Sequence, residues 1–216
     1  THFATADMPE NIDFTIQVHR FTEAIDALRV AGIDPGTVHA ANSAALLRYP
    51  QTHFDMARLG ISLYGFHPCN ETRGTVNLKP AMSVYARITE CKQVPMSEGV
   101  SYGLNYRSTG SVKICTLPIG YADGLNRALS SRVNFILDGT YVPQVGNICM
   151  DQCMFEVDMR TYGTRRRLDP QIGDVVTVVG QQGDAVTTIT EMAYTLHTIE
   201  HELAIAFSHR LPRVYV

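Results

Sequence analysis

Residues 133–146 read VNFILDGTYVPQVG, and this stretch decides the fold class of the longer part of the chain. Two runs rich in β-branched and aromatic residues flank the pair Asp138–Gly139. Residues of these types favour strands, and an Asp-Gly pair between them is a strong signal of a tight β-hairpin turn. The sequence therefore predicts two antiparallel strands joined at this pair.

Further strand-like runs lie on both sides of the hairpin and share its composition. They cover residues 81–94, 111–121, 153–159 and 174–180. Turn signals such as Gly173–Asp174 separate them, and one clear helical pattern follows at 191–207. We therefore expect residues 71–216 to form a mostly-β C-terminal domain.

The first part of the chain has a different order of elements. Residues 12–31 place apolar side chains largely on one helical stripe, and the Gly and Pro that follow end the pattern. Apolar runs at 37–43 and 56–65 predict strands, with a short helix over 43–50 between them. Alternating strands and helices are typical of parallel α/β folds, including barrels. We therefore expect residues 1–70 to be the C-terminal part of an α/β, TIM-like barrel.

Composition and charge restrict the classes of function. A formal net charge of −3 gives no reason to expect a nucleic acid or an anionic membrane as partner. No apolar run approaches the roughly twenty residues of a membrane-spanning helix, and the opening residues lack the apolar region of a signal peptide. Five cysteines are too few for a disulfide framework in 216 residues, so we expect a reducing cytoplasm.

One motif in the predicted C-terminal helix is similar to a zinc site. His197, Glu200 and His201 form an H-x-x-E-H pattern, the signature of one class of zinc hydrolase. On a single helix the two histidines would share a face. No third ligand can be identified in the sequence, so a solvated helix face is the favoured interpretation.

Residues 146–154, GNICMDQCM, contain a pair of cysteines that could also be part of a metal site. Cys149 and Cys153 have no second pair or histidines at metal-ligand spacing to complete a site. Free cysteine packs as a small hydrophobic residue, so we interpret the two thiols as buried and inert. We expect no metal.

Several residues at predicted strand ends are candidates for a different kind of site. Tyr102 and Tyr121 each stand beside glycine in a loop, and glycine permits the close approach of another backbone. Ser43 begins the short helix, where it either caps the helix or contacts a phosphate. Arg58 lies in an apolar run, although arginine is rarely buried without a partner. The residues alone leave these alternatives open.

Taken together and in this order, these segments resemble the alanine racemases, which are pyridoxal-phosphate enzymes with an N-terminal barrel and a C-terminal β domain. The resemblance covers nearly the whole chain and follows the family's order. The matching stretches are THFATAD, HAANSAA, RLGISLYG, LKPAMSVYARI, GVSYGLNY, LPIGYADG, VGNICMDQCM, GDVVTVVG and RLPRV.

The resemblance implies a racemase that interconverts L- and D-alanine with pyridoxal 5'-phosphate and supplies D-alanine for cell-wall peptidoglycan. The cofactor makes the Cα–H bond of an amino acid acidic, and inversion then requires a base on each face of that carbon. Tyr102 matches the family's tyrosine base, which works in the barrel of the partner subunit. The resemblance therefore implies a homodimer with shared active sites.

The resemblance also assigns roles to other positions. Arg58 matches an arginine that donates to the cofactor's pyridine nitrogen, and His2 and His39 match histidines linked to it. The positions that match phosphate contacts are Ser43, Gly60, Ile61 and His209, the last being a tyrosine in the family. Met150 matches the residue whose backbone contacts the substrate. The positions that match the entrance of the site are Asp7, Tyr121 and Arg127.

The family's second base is a lysine in a motif similar to VKANAYGHG, and this sequence has no match to it. Lys79, Lys92 and Lys113 lie outside any such motif, so we expect the chain to be part of a longer polypeptide. The missing motif keeps a second hypothesis open, a non-catalytic module for dimerisation or ligand sensing. Serine is the alternative substrate, because His209 is smaller than the family's tyrosine.

Overall fold

The computed structural model of the chain describes residues 1–8, 10–159 and 168–216. It contains two compact units, Thr1–Ala81 and Met82–Val216. The division lies later in the chain than the boundary predicted after residue 70. The first unit consists of helices and extended segments, and the second is built around a β-sheet.

Two α-helices organise the first unit. Helix α1 (Ile12–Val30) starts at Asn11, whose side chain accepts a hydrogen bond from the Asp13 N–H at 2.8 Å. Helix α2 covers Ser43–Arg48. The apolar stripe of α1 contributes Phe14, whose ring stacks on Tyr49 with centroids 4.2 Å apart. The two predicted helices are confirmed.

The two strands predicted in this unit are wrong. Among the residues described, the runs at 37–43 and 56–65 share a single parallel bridge, between His39 and Met56. Residues Ile61–Tyr64 form a 3-10 turn instead of a strand. A parallel ladder requires neighbouring strands that pair along their length, and the described part of the unit provides none. The barrel therefore stays a prediction.

The described residues of the second unit form ten strands, and the predicted β domain is confirmed. The strands are β1 (Val84–Arg87), β2 (Glu90–Val94), β3 (Gly99–Val100), β4 (Tyr106–Arg107), β5 (Val112–Leu117), β6 (Asn134–Leu137), β7 (Thr140–Val145), β8 (Cys153–Asp158), β9 (Val175–Gln182) and β10 (Ala185–Thr187). An antiparallel sheet has the order β1-β9-β6-β7-β8-β5-β2, with β10 paired to β9. Strands β3 and β4 form a separate two-stranded ladder.

The hairpin at the centre of this sheet follows from its turn residues. Strands β6 and β7 pair with Leu137 opposite Thr140. Asp138 and Gly139 between them have φ values of 50° and 72°. Positive φ at both central residues is the backbone requirement of the tightest hairpin turns, and aspartate followed by glycine meets it with little strain.

A small apolar cluster beside the sheet fixes the start of the loop that carries Tyr102. Val100 on β3 is buried against Val112, Ile114 and Val145 of neighbouring strands. Burial of side chains of this size contributes roughly 1.5–3 kcal/mol each. The residues immediately before Tyr102 are therefore held by the core of the β unit.

The predicted helix at 191–207 is two helices, α3 (Ile189–Leu196) and α4 (Glu200–Ala206). The break falls at His197, whose left-handed backbone (φ 55°) ends α3. Because His197 and His201 are on different elements, they do not share the helical face that the zinc motif requires. The described ranges contain no group of three metal-ligating side chains. None of their helices is long and apolar enough to cross a membrane.

The structure contains a disulfide that the sequence did not indicate, and it agrees only in part with the interpretation of Cys149 and Cys153 as buried thiols. Cys91 on β2 and Cys115 on β5 face each other across the sheet, with Cα atoms 4.2 Å apart, and form a disulfide. Antiparallel pairing brings together residues that are distant in sequence, so their spacing did not indicate the bond. Cys153 is buried, and burial raises the pKa of its thiol. Cys149 is free but only half-buried.

Candidate active site

Arg58 is the centre of a hydrogen-bonded cluster in the first unit. Its Nη1 lies 2.6 Å from His39 Nδ1, and its Nη2 lies 3.1 Å from His2 Nδ1. Nη2 also donates to the carbonyls of Thr1 at 2.8 Å and Ala40 at 3.0 Å. The structure thus brings together the two predicted histidines and the predicted arginine, and Arg58 has partners for its charge.

The donor chemistry of arginine limits how Arg58 contacts the two imidazole rings. A guanidinium donates hydrogen bonds and never accepts them, so His39 Nδ1 is the acceptor in its contact with Nη1. His2 lies between two donors, with Arg58 Nη2 3.1 Å from its Nδ1 and the Asn42 amide nitrogen 3.5 Å from its Nε2. The Arg58 Nε–H has no acceptor among the residues described, so this edge of the guanidinium remains available to a ligand.

Asn42 connects the cluster to helix α2 and was not predicted from the sequence. Its Oδ1 accepts the Ala45 N–H at 3.0 Å, which makes it the N-cap of the helix, and its Nδ2 donates to the Phe3 carbonyl at 3.2 Å. The signal was present, since asparagine before a helix favours capping. Ser43 is therefore not the cap, and its hydroxyl is free for another role.

The Ser43 hydroxyl lies against the segment that begins the 3-10 turn. Its Oγ accepts the N–H groups of Gly60 at 2.9 Å and Ser62 at 3.3 Å, so its own proton points to a further acceptor. The buried Ser62 hydroxyl has no hydrogen-bond partner within the described ranges, and the Ile61 N–H is likewise unpaired there. Three donors without protein acceptors in one small region suit an anion such as phosphate.

In the second unit, two loops are joined through their backbones. The N–H of Tyr121 donates to the Cys149 carbonyl at 3.0 Å, and that of Ala122 donates to the Met150 carbonyl at 3.0 Å. Gly120 makes this possible, because a Cβ atom there would lie 2.2 Å from the Cys149 oxygen. The Tyr121 loop and the Met150 loop therefore form one structural element.

We expect the substitution Gly120→Ala to destabilise the full-length protein by about 3 kcal/mol, because the added methyl group would overlap a backbone carbonyl that cannot move aside. Urea unfolding measures the change. Gly183→Ala is the control, since Gly183 has open space around it and only a positive φ of 62°. Left-handed strain alone costs roughly 1–2 kcal/mol. Equal losses in the two variants would contradict the steric explanation.

An open cavity of about 640 Å³ lies beside these loops. Its walls include four of the predicted site residues, Tyr102, Tyr121, Arg127 and Met150. Tyr102 is 77% exposed and lines this cavity. A volume of this size accommodates a small molecule.

Arg210 holds two sides of this site together and was not predicted. Its Nη2 lies 2.5 Å from Asp151 Oδ1, and its Nε lies 3.4 Å from Asp123 Oδ1. The other oxygen of the buried Asp123 accepts the Gly120 N–H at 2.9 Å. The hydrogen bond to Asp151 and the charge of Asp123 raise the pKa of Arg210. Arg210 belongs to the quoted stretch RLPRV, but its ion pairs depend on folding.

Two predicted site residues belong neither to the Arg58 cluster nor to the residues that line the cavity. Asp7 lies in an exposed turn of the first unit, and His209 is exposed next to Arg210. The side chain of His209 has no hydrogen bond within the ranges that the structure describes. Lys113, one of the lysines outside the family motif, is paired with Asp169 at 3.0 Å. The roles of Asp7 and His209 stay predictions.

Two family models match the chain. The model described as "Alanine racemase, C-terminal domain" matches residues 81–215, and the one described as "Alanine racemase, N-terminal domain" matches residues 1–68. The alanine racemases of Synechocystis sp. and Methanococcus maripaludis are each 42% identical to the chain over its whole length and over 56% of their own. The chain thus spans about half the length of the curated relatives it matches.

Solved structures show the same relationship. The alanine racemase of Bacillus anthracis, solved with bound L-Ala-P, superimposes with a TM-score of 0.91 at 38% identity, covering 100% of this chain and 54% of that one. The enzyme of Clostridium difficile in complex with cycloserine also gives a TM-score of 0.91, at 36% identity and with 100% and 55% coverage. The two family models match in order, and the alignment with the Synechocystis enzyme, at 42% identity, covers all 216 residues. The chain therefore belongs to the alanine racemase family.

Proposed function

We propose that the whole protein racemises alanine with pyridoxal 5'-phosphate as cofactor. The observation that carries the proposal is the hydrogen-bonded cluster of Arg58 with His2 and His39, and Arg58 stands two residues before Gly60 of the donor-rich segment. Pyridoxal phosphate combines a phosphate group with a pyridine ring. Its site therefore needs an anion-binding segment for the phosphate and a permanent cation for the ring. The family membership and the arrangement of these residues support this cofactor together.

The residues around Ser43 fit the cofactor's phosphate. The Ser62 hydroxyl is a buried polar atom without a partner in the described part of the chain, and a phosphate oxygen would supply its acceptor. Ser43, Gly60 and Ile61 are the predicted phosphate contacts in the same segment. His209 is a further predicted phosphate contact, and its side chain is exposed.

Arg58 would hold the pyridine nitrogen without protonating it. When bound, pyridoxal phosphate withdraws electrons from the α-carbon of the amino acid and makes its proton acidic. Arginine remains protonated in proteins, so Arg58 would donate a hydrogen bond to that nitrogen and would not transfer a proton. His39 and His2 fix the guanidinium in this orientation. This arrangement limits charge delocalisation into the ring and favours return of the proton over transamination.

Tyr102 would serve as the base on one face of the α-carbon. It lines an open cavity, whose other walls include Met150, the predicted substrate contact. In the proposal, this cavity meets the barrel of a partner subunit in a homodimer, and Tyr121 and Arg127 line the approach. The lysine that serves the opposite face would belong to a part of the protein beyond these residues.

The direct test is racemisation by the full-length protein loaded with pyridoxal phosphate. We expect L-alanine to yield D-alanine and the reverse, followed by chiral chromatography. Absence of conversion by protein that carries the cofactor would contradict the proposal and favour the non-catalytic module. The kcat/KM for alanine divided by that for serine identifies the preferred substrate. A value below one would favour serine. The cytoplasmic location and the supply of peptidoglycan precursor stay predictions.

We expect Ser43→Ala to weaken cofactor binding by about tenfold, because it removes a hydroxyl donor to a charged phosphate. Absorbance titration of the cofactor-free full-length protein with pyridoxal phosphate measures the Kd. Ser111→Ala is the matched control, since Ser111 is exposed and its hydroxyl accepts a hydrogen bond from Gln93 at 2.7 Å. An unchanged Kd in the Ser43 variant would show that the phosphate binds elsewhere.

A further inference from the structure

The turn that presents Tyr102 has a strained backbone. Ser101 has φ 70° and ψ 174°, a combination that is almost confined to glycine. Leu104 has φ 49°, also in the left-handed region, and Gly103 between them has φ 76°. Such conformations persist only where neighbouring groups enforce them, and they concentrate at functional sites. The turn therefore needs an external restraint.

Asn147 supplies that restraint from another loop. Its side-chain Nδ2 donates to the backbone carbonyl of Tyr102 at 2.7 Å. Its backbone carbonyl accepts a hydrogen bond from the Ser101 hydroxyl at 3.0 Å. These two hydrogen bonds run in opposite directions between the same two segments. We name them the Asn147 bracket. The bracket fixes the backbone on both sides of the bond between Ser101 and Tyr102.

The segment that carries Asn147 is itself anchored. The N–H of Gly146 donates to the Ser131 hydroxyl at 3.1 Å, and that of Ile148 donates to the Ser130 hydroxyl at 2.9 Å. Gly146 also permits close approach, since a Cβ atom there would lie 2.6 Å from the Ser101 Cβ. The support under the strained turn is therefore rigid and tightly packed.

The position of Asn147 relates the bracket to the chemistry. It stands three residues before Met150, and Asn147, Met150 and Tyr102 all border the same cavity. We propose that Asn147 is a positioning residue. It holds the phenol of Tyr102 at a fixed position relative to Met150, the predicted substrate contact. This inference rests on the proposed function, because it assumes that Tyr102 exchanges a proton with the substrate.

The test uses Asn147→Asp and Asn147→Ala in the full-length, cofactor-loaded protein. Aspartate keeps the shape of asparagine but its carboxylate donates no hydrogen bond to the Tyr102 carbonyl. A displacement of about 1 Å at a reacting group costs on the order of 10²-fold in rate, so we expect kcat to fall by between about ten- and a hundredfold. The KM for alanine should stay within about twofold, since substrate binding through Met150 is not the step affected.

Two further measurements separate positioning from a general loss of structure. The isotope effect on kcat with alanine deuterated at Cα should increase in the Asn147 variants for at least one enantiomer, because proton transfer becomes slower than the other steps. Hydrogen exchange of the backbone amides of residues 100–107 should become faster. Asn134→Ala is the control, with an exposed asparagine on β6, and should change none of these quantities.

The outcomes also distinguish the two proposals. An inactive unmodified protein would overturn the proposed function, whereas the exchange rates of residues 100–107 would still test the bracket. Unchanged exchange in both Asn147 variants would show that the Asn147 side chain does not hold the turn. Faster exchange with unaltered kcat would show that the turn's position is irrelevant to the reaction. Either result would overturn the inference.

Discussion

Replacing Tyr102 by phenylalanine is expected to reduce kcat for alanine racemisation by about 10³-fold in the full-length protein, the largest effect among our predictions. A positioned acid or base contributes typically 10²–10⁴-fold to a rate. Phenylalanine keeps the ring and removes the one oxygen that exchanges a proton. The Tyr102 side chain is 77% exposed and its phenol has no protein partner in the described ranges, so the fold should tolerate the change.

The measurement compares racemisation with binding and stability. Chiral chromatography gives kcat, absorbance titration gives the Kd of pyridoxal phosphate, and thermal unfolding gives Tm. We expect only kcat to change. Tyr194→Phe is the matched control, because Tyr194 is also highly exposed but lies on helix α3 and does not line the cavity. If Tyr102→Phe retained the rate of the unmodified protein, another group would have to supply the base.

Replacing Arg58 by lysine is expected to lower kcat/KM by about 10²-fold and the free energy of unfolding by about 2 kcal/mol. Lysine keeps the charge but offers a single compact ammonium group in place of a planar fork. It does not reach His39, His2 and the carbonyls that Arg58 bonds at once. Hydrogen bonds from a charged group contribute roughly 1.5–3 kcal/mol each, and their loss is only partly offset by water.

The readout for Arg58 includes a spectrum as well as a rate. The absorption of bound pyridoxal phosphate depends on the group at its pyridine nitrogen, so its maximum should move in the lysine variant. Arg29→Lys is the control, since Arg29 is exposed on helix α1 and its contact with Asp26 at 3.6 Å contributes little. An unshifted spectrum together with an unchanged rate would show that Arg58 does not contact the cofactor.

The cluster around Arg58 illustrates how far a sequence resemblance reaches. It assigned His2, His39 and Arg58 to one group, and the structure places a guanidinium nitrogen of Arg58 2.6 Å from His39 Nδ1 and another 3.1 Å from His2 Nδ1. Asn42 was missed, although an asparagine before a helix is an ordinary capping signal. His2 and Arg58 are 56 residues apart in the chain, so no periodic pattern in the sequence indicates that they are in contact.

The two halves of the chain differ in how well local patterns predicted them. In the β unit, alternation of side chains and the turn pair Asp138–Gly139 are local properties, and the hairpin is confirmed. In the first unit, the apolar runs at 37–43 and 56–65 predicted strands that the described residues do not form. A strand exists only when a neighbour pairs with its backbone, and no local pattern supplies that neighbour.

The sequence by itself determined the helices of the first unit and the antiparallel β unit, because capping, turn chemistry and hydrophobic periodicity act over a few residues. It also indicated the family, through the resemblance of whole segments in their order. Only the tertiary structure decided that Cys91 meets Cys115, that Arg210 joins Asp123 to Asp151, and that Asn147 supports the Tyr102 turn. Each of these contacts joins residues far apart in the chain. Their energies depend on distances of about 3 Å, which only the packing of the whole unit determines.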